Sequence, residues 1–435
     1  MAACLADRGF EVIGVDADSK KIEAINTGKS PIYEPGLEEL TAKALKTGNL
    51  KVTGNFESAL KDSYITFITV GTPSRPDGSI DLRQTRSACE SIGSSLERIE
   101  EYRLIVLRST VVPGTSEQIV KPILESASGK SCGNDFGLCV NPEFLREGSA
   151  VQDMLKPDRI VIGEHDKKSG NLLEDFYRRL YSQDTPTLIR TSLANAELIK
   201  YVNNAFLATK ISFINSIANL CEGIDEGDVE VIARAIGLDP RIGPLFLKAG
   251  LGWGGSCFPK DLRAILAFSR GLGIDLPIID AALRVNESQP ILAVEKAKKA
   301  LGSLKGRRIA ILGLAFKPNT DDAREAVSIR IIDRLLQEGA RVRAYDPAAM
   351  QNIRRIFGKK ISFANSSYGC IQSADCCILV AEWDEFKQMR PEDFKARMRQ
   401  PILIDGRRVY DAEEFASKLR YFAVGLRKKA SAQAC

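Results

Sequence analysis

From about Ser192 to Cys221 the chain carries a helical pattern with no proline and no glycine. At 1.5 Å per residue such a helix runs to roughly 45 Å, long enough to bridge domains or line an interface between two chains. It also divides the sequence, because strand and helix signals alternate on both sides of it. Ahead of it, Ala2 to Arg8 ends a helical pattern that Gly9 closes, and Phe10–Val15 reads as a buried strand ending at Asp16 and Asp18. Further strand signals fall at Tyr64–Val70, Leu104–Leu107, Gly137–Val140 and Arg159–Gly163. Helical segments between several of them argue for a parallel sheet with crossover helices. Behind the long helix, helical signals continue to about Val294, broken by a glycine-rich loop at Gly250–Gly255. Alternation then restarts: Arg307–Gly313, Arg341–Tyr345, Ala374–Ala381 and Pro401–Asp405 read as strands, and Ser328–Glu338 as a helix closed by Gly339. The expected fold is α/β, two parallel-sheet domains joined by a long central helix and a helical middle region.

Composition narrows the function classes. The 435 residues are 44% hydrophobic and 27% charged, with 61 Lys+Arg against 56 Asp+Glu for a net charge of +5. Over this length that charge is too small to make nucleic acid or a membrane the main partner. No apolar run approaches the roughly 18 residues of a membrane span. Met1 to Ala6 meets Asp7 and Arg8 at once, so no secretory leader is expected. The ten cysteines scatter from Cys4 to Cys435 without a C-x-x-C pair, and His165 is the sole histidine. No metal site is expected, and a cytoplasmic, reducing location fits. His165 itself is expected at the surface, Thr115 as a helix cap, and the basic tail 426–435 frayed and solvated.

The stretch Phe246-Leu-Lys-Ala-Gly-Leu-Gly-Trp-Gly-Gly-Ser-Cys-Phe-Pro-Lys-Asp261 is the most informative. Its glycines permit close backbone approach to a ligand. Pro259 suits the first helical position and Asp261 the first turn, which sets Cys257 at a helix N-terminus beside Lys260. Both surroundings favour a thiolate. A glycine-rich turn around an inert buried cysteine is the competing reading, and this context outweighs it. Lys200 and Asn204, four apart, share a face of the long helix; a snorkelling lysine beside a satisfied core amide explains them equally well. Glu143 and Glu147 follow a strand through Asn141-Pro142, where acids in a first helical turn commonly serve the helix dipole. With one histidine, proton transfer falls to Lys, Glu, Asp or water.

A dinucleotide-binding unit runs strand, G-x-G-x-x-G, helix, strand, acid. Ala2–Arg8, Gly9, Phe10–Val15 and Asp16 supply its second half, without the first strand and glycine loop. The chain as written is therefore expected to expose apolar sheet edges and to bind a dinucleotide poorly.

Four motifs in order, Asn141-Pro-Glu-Phe-Leu-Arg-Glu-Gly148, Gly254-Gly-Ser-Cys-Phe-Pro-Lys-Asp261, Gly313-Leu-Ala-Phe-Lys-Pro318 and Asp405-Gly-Arg407, resemble the UDP-glucose/GDP-mannose 6-dehydrogenase family over nearly the whole chain. Ser256 before Cys257 resembles the glucose or mannose branch, and Glu147-Gly-Ser-Ala-Val-Gln-Asp and Pro157-Asp-Arg-Ile-Val-Ile-Gly are most similar to the UDP-glucose enzymes. The resemblance implies oxidation of a sugar primary alcohol to a carboxylate with two NAD⁺, UDP-glucose to UDP-glucuronate, through a thiohemiacetal and thioester on Cys257. It implies catalytic roles for Lys200, Asn204 and Asp261 around an ordered water, for Glu143 in thioester hydrolysis and for Thr110 beside the reacting centre. NAD contacts are implied at Asp16, Lys21, Thr72, Thr110, Glu147, Lys260 and Arg324. Glu143, Phe144, Leu145, Lys200, Asn204, Phe246, Lys248, Gly250, Gly254, Lys317 and Arg407 are implied to contact the sugar nucleotide, and Arg241 the neighbouring subunit's site. The implied layout is a Rossmann-like NAD domain at 1–190, a helical and dimerising region with the cysteine loop at 191–294, a Rossmann-like UDP-sugar domain at 295–425 and a tail, in a homodimer or higher homo-oligomer. Two rivals stay open: a GDP-mannose 6-dehydrogenase, and a sugar-nucleotide-binding protein defective in NAD binding.

Overall fold

The computed structural model describes residues 1–182 and 184–427. They gather into two compact units, Met1–Asn203 with Arg263–Gly273, and Asn204–Leu262 with the chain from Ile274 onward.

The first unit holds seven described strands: β1 (Val12–Val15), β2 (Leu50–Thr53), β3 (Ile65–Ile68), β4 (Arg103–Leu107), β5 (Phe136–Val140), β6 (Arg159–Glu164) and β7 (Thr187–Ser192). β1 and β2 pair parallel with each other alone, while β3-β4-β5-β6-β7 form a five-stranded sheet. Every residue of β4 and β5 is buried, as unbroken apolar runs covered on both faces must be. The expected parallel sheet contains one antiparallel pair, β5 with β6, Cys139 opposite Glu164. Their connection carries one six-residue helix, Ala150–Leu155. That helix is about 9 Å long, and β6 enters in the opposite sense. Gly9 takes φ +87°, the left-handed conformation expected of a residue closing a helix.

The second unit holds β8 (Arg308–Leu312), β9 (Arg341–Tyr345), β10 (Ser362–Phe363), β11 (Cys376–Leu379), β12 (Ile402–Asp405) and β13 (Arg420–Ala423). All are parallel in the order β10-β9-β8-β11-β12-β13, a doubly wound sheet whose order reverses between β8 and β11. Ligands of such sheets bind outside the strands' carboxyl ends at that reversal. The helices Val229–Gly237, Pro277–Leu301 and Val327–Gln337 belong to this unit, and one apolar core joins the last two to β8, β9, β11 and β12.

The long helix is Leu193–Cys221, 29 residues without interruption. Two smaller expectations are corrected. The tail is docked at its first residues: Leu426 bridges Asp228, and Arg427 donates its backbone N–H to Gly227 and pairs with Asp225 at 2.8 Å; the remainder, 428–435, lies outside the described residues. His165 is half-buried, its Nδ1 at 3.5 Å from Glu117.

Candidate active site

In the first unit the site is built on the segment leaving β5. Asn141 is buried and donates to the Val161 carbonyl at 2.8 Å while accepting from Tyr177 Oη and Arg108. That fixes where Pro142 and Glu143 emerge. No helix starts there, correcting the expectation of a first helical turn; the chain stays irregular until Ala150. The Glu143 carboxylate instead accepts from the Leu145 N–H at 2.7 Å and from Lys200 Nζ at 3.1 Å. Lys200 also donates to the Glu143 carbonyl at 2.6 Å, and it is 5% exposed, held by this pairing rather than snorkelling. The Phe144 ring lies 4.2 Å from the Arg159 guanidinium and 5.5 Å from Lys200 Nζ, within cation–π reach.

Two carboxylates that sequence reasoning missed hold the loops around this segment. Glu34 accepts the N–H groups of Gly148 and Ala150, both at 2.7 Å, just beyond Glu147. Buried Glu197, one turn before Lys200, accepts those of Gly114 at 2.6 Å and Ser116 at 2.8 Å. Its carboxyl is pushed above the usual range because burial penalises the charge more than these bonds repay it. Thr115 is thereby displaced as a cap: Glu197 already serves the neighbouring amides, and the Thr115 hydroxyl turns back to the Val112 carbonyl. Thr72 donates to the Thr110 carbonyl at 2.8 Å, tying two strand-end loops together. Asp16 stands at the end of β1, paired with Lys21 at 3.3 Å.

In the second unit Cys257 is half-buried, immediately before the helix Phe258–Gly271, with Ser256 Oγ 3.6 Å from its sulfur. Pro259 falls second in that helix, one place later than expected. Asp261 is 1% exposed and accepts from Asn204 Nδ2 at 2.7 Å and Lys260 Nζ at 2.5 Å. The Lys260 charge, expected to favour the thiolate, is thus directed at Asp261, while the helix N-terminus favours a thiolate as expected. At Cys89, Cys132 and Cys370 burial pushes the thiol up to about 12, and it raises Cys4, Cys139, Cys221, Cys376 and Cys377 as well. Those thiols are unsuited to nucleophilic work.

The glycine loop is held by amides, also missed in the sequence. Asn215 accepts the Gly250 N–H at 2.8 Å, Gln289 donates to the Gly250 carbonyl at 3.1 Å, and Asn286 closes on both backbone groups of Trp253. A Cβ on Gly254 would lie 2.3 Å from the Glu325 carbonyl oxygen, and one on Gly255, at φ +83°, 2.9 Å from the Phe316 ring. Glycine is required where this loop packs on the Gly313–Pro318 motif and the turn behind it.

At the sheet reversal of the second unit, Arg407 follows β12 and donates to the Val380 carbonyl at 2.6 Å and the Gly252 carbonyl at 3.3 Å. Desolvation lowers its basicity, and among the described residues no carboxylate forms an ion pair with it. Such a guanidinium fits an anionic group. Asp346, ending β9 where a dinucleotide fold sets its ribose-binding acid, is buried. It accepts from the Leu314 and Ala315 amides and Trp383 Nε1. Its carboxylate therefore braces the loop after β8. Lys248 pairs with Glu382, Arg241 with Asp239, and Arg324 with Asp322, while Phe246 adopts φ 64°. Thr110, Glu143, Lys200, Asp16, Lys21, Thr72, Glu147, Phe144 and Leu145 thus belong to the first unit, and Asn204, Cys257, Lys260, Asp261, Arg324 and the remaining sugar-nucleotide residues to the second. Among the described residues no cluster of His, Cys, Asp and Glu could hold a metal, and no helix is long and apolar enough to cross a membrane.

A doubly wound sheet with a buried arginine at its reversal, and a thiol set at a helix start, point to a nucleotide-binding α/β protein. Comparison with known families narrows the class. Residues 1–181 match the NAD binding domain of the UDP-glucose/GDP-mannose dehydrogenase family, 194–288 its central domain and 310–412 its UDP binding domain. The chain belongs to this family. It is 43% identical over 417 residues to the UDP-glucose 6-dehydrogenase AglM of Haloferax volcanii, covering 95% of each chain. With the UDP-glucose 6-dehydrogenase TuaD of Bacillus subtilis it shares 41% identity over 97% of this chain and 89% of the relative. Among solved structures, a UDP-glucose dehydrogenase from Pyrobaculum islandicum superposes with a TM-score of 0.90 at 38% identity, covering 98% of this chain and 94% of that one.

Proposed function

We propose that this chain oxidises UDP-glucose to UDP-glucuronate at the expense of two NAD⁺. The observation that carries the reading is Cys257 immediately before the helix Phe258–Gly271, with Asp261 buried between Asn204 and Lys260 four residues on. In this reading residues 1–190 bind NAD, 191–294 carry the cysteine loop and dimerise, and 295–425 bind the UDP-sugar.

Asp16 ends a strand with its side chain 39% exposed, the chemistry and placement a ribose diol needs. Lys21, Thr72, Glu147, Lys260 and Arg324 are the further residues assigned to the cofactor. NAD⁺, when bound, supplies the hydride acceptor for each oxidation.

Carbon 6 of the sugar gives up a hydride and its hydroxyl gives up a proton, leaving an aldehyde. The Cys257 thiolate adds to that carbon, forming a C–S bond and a thiohemiacetal. Loss of a second hydride and the hydroxyl proton leaves a thioester. Water attacks it, the C–S bond breaks, and the carboxylate and free thiol result. Lys200 donates two N–H bonds to Glu143, and an ammonium has three; the third serves the oxyanion that develops in each step. In this reading Glu143 takes the proton of the attacking water, and Asn204 and Asp261 orient that water. Arg407 and Lys317 hold the diphosphate, with the Gly250–Gly254 backbone and Phe246 against the nucleotide.

The long helix supports a homodimer. Val202, Phe206 and Phe213 share one side of it and are 52%, 65% and 53% exposed, an apolar face a second copy would cover. Cytoplasmic residence completes the reading, supported by nine free thiols among the described residues. NADH formation with UDP-glucose and NAD⁺, set against GDP-mannose, tests the proposal. Turnover of GDP-mannose alone would replace the substrate, and UDP-glucose binding without NADH would leave a binding protein.

A further inference from the structure

The amino ends of β8, β9 and β10, opposite the end where a doubly wound sheet takes its nucleotide, carry an arrangement with no part in this reaction. Arg308 and Arg341 stand directly beside each other in the parallel register, and Arg343 lies two residues further along β9, opposite Ser362. Neighbouring strands are about 4.8 Å apart and alternate residues about 6.6 Å, so the three side chains leave one face of the sheet within a small area. Like charges placed side by side on adjacent strands are destabilising. No carboxylate pairs with them: among the described residues Arg308 and Arg341, both exposed, form no ion pair, and Arg343 donates to the carbonyls of Gly369 and Gln372, each at 3.2 Å. The nearby acid, Asp375, is buried and already engaged by Arg399 at 2.7 and 2.8 Å and by the Arg308 backbone N–H at 2.8 Å. The three arginines line a cleft of about 210 Å³ together with Ser362, Cys370 and Gln372.

We propose that this cleft is an anion site for a small, multiply charged phosphate compound, either inorganic pyrophosphate or a phosphate monoester. Guanidinium forks match phosphate oxygens in pairs, and an Arg308–Arg341 pair one strand apart spans the width of one phosphate group. Arg343 reaches a second charged oxygen deeper in the cleft, where the Gln372 amide supplies a neutral donor. The bound anion removes the repulsion that the free protein carries.

The test is calorimetric titration of the full chain, saturated with UDP so that the sheet's carboxyl end is occupied. Pyrophosphate and glycerol phosphate are titrated separately at fixed ionic strength. One of the two is expected to bind at a single site, and Arg308→Gln or Arg341→Gln to weaken it by about tenfold or more, the loss of a charge-assisted contact. Lys359→Gln, outside the cleft, leaves it unchanged. The same arginine variants, without anion, are expected to unfold at an equal or higher temperature than the parent, since each removes a repelling charge, which separates lost binding from lost folding. No binding in the UDP-saturated protein, or equal binding by the arginine variants, overturns the proposal. Which titrant binds decides between pyrophosphate and ester.

Discussion

Glu197→Ala tests the view that the loop bearing Thr110 is fixed by one carboxylate. Glu197 is 2% exposed and accepts the backbone N–H groups of Gly114 and Ser116 at 2.6 and 2.8 Å. Alanine leaves two inward-facing donors without an acceptor, at about 1–3 kcal/mol each, so the chain should lose about 2–6 kcal/mol. Glu197→Gln keeps one acceptor and turns an NH₂ toward the other donor, for a loss of about 1–3 kcal/mol. The pH dependence adds a sign. The folded Glu197 carboxyl lies above its ordinary value of 4.5 because of burial, so the native state holds this proton more tightly than the unfolded chain. Stability from this group is therefore full below pH 4.5 and declines as pH rises through the raised native value. Glutamine does not titrate, so the penalty of Glu197→Gln should shrink as pH rises across that window. Urea midpoints of parent and variant, measured in pairs between pH 4.5 and 7, report the difference. A penalty that grows with pH, or an alanine variant as stable as the parent, would refute the reasoning.

Three other outcomes are expected. Gly254→Ala forces a methyl to within 2.3 Å of the Glu325 carbonyl; it should cost about 1–3 kcal/mol by thermal unfolding and displace the cysteine loop enough to abolish NADH formation. Arg407→Gln should raise the KM for UDP-glucose about tenfold or more with a smaller change in kcat, because the diphosphate contact is alike in ground and transition states; steady-state kinetics separate the two. Lys200→Met removes the oxyanion donor and should lower kcat by roughly 10²–10³-fold while UDP-glucose still binds, as calorimetry would show.

The parts of the site legible in the sequence were those with a spacing. Cys257 before Pro259 and Asp261 announced a helix start, and Lys200 and Asn204 shared a helix face because four residues make about one turn. What stayed hidden acts on backbone. Asn215, Asn286 and Gln289 hold the glycine loop through amide and carbonyl groups that every residue carries, so no partner residue marks them. Glu34 and Glu197 reach loops 114 and 83 positions away in sequence from Gly148 and Gly114. Strands show the same division. The buried runs of β4, β5, β8 and β11 were read within a residue or two, whereas β7 (Thr187–Ser192), half-exposed and rich in threonine and serine, lacks the apolar run that marks a core strand. The antiparallel entry of β6 was hidden too, because strand direction is not marked by the strand's own residues. Asp346 and Asp16 both follow strands, and burial separates the first, which braces a loop, from the second, which stays part-exposed.

The most direct measurement is the yield of NADH per UDP-glucose consumed, for the parent and for Cys257→Ala. Two NADH per sugar nucleotide are predicted for the parent, with UDP-glucuronate as product, and for Cys257→Ala a rate lower by roughly 10³-fold or more. One NADH per sugar from the parent, or an alanine variant that still makes UDP-glucuronate at the parent's rate, would contradict covalent catalysis by Cys257.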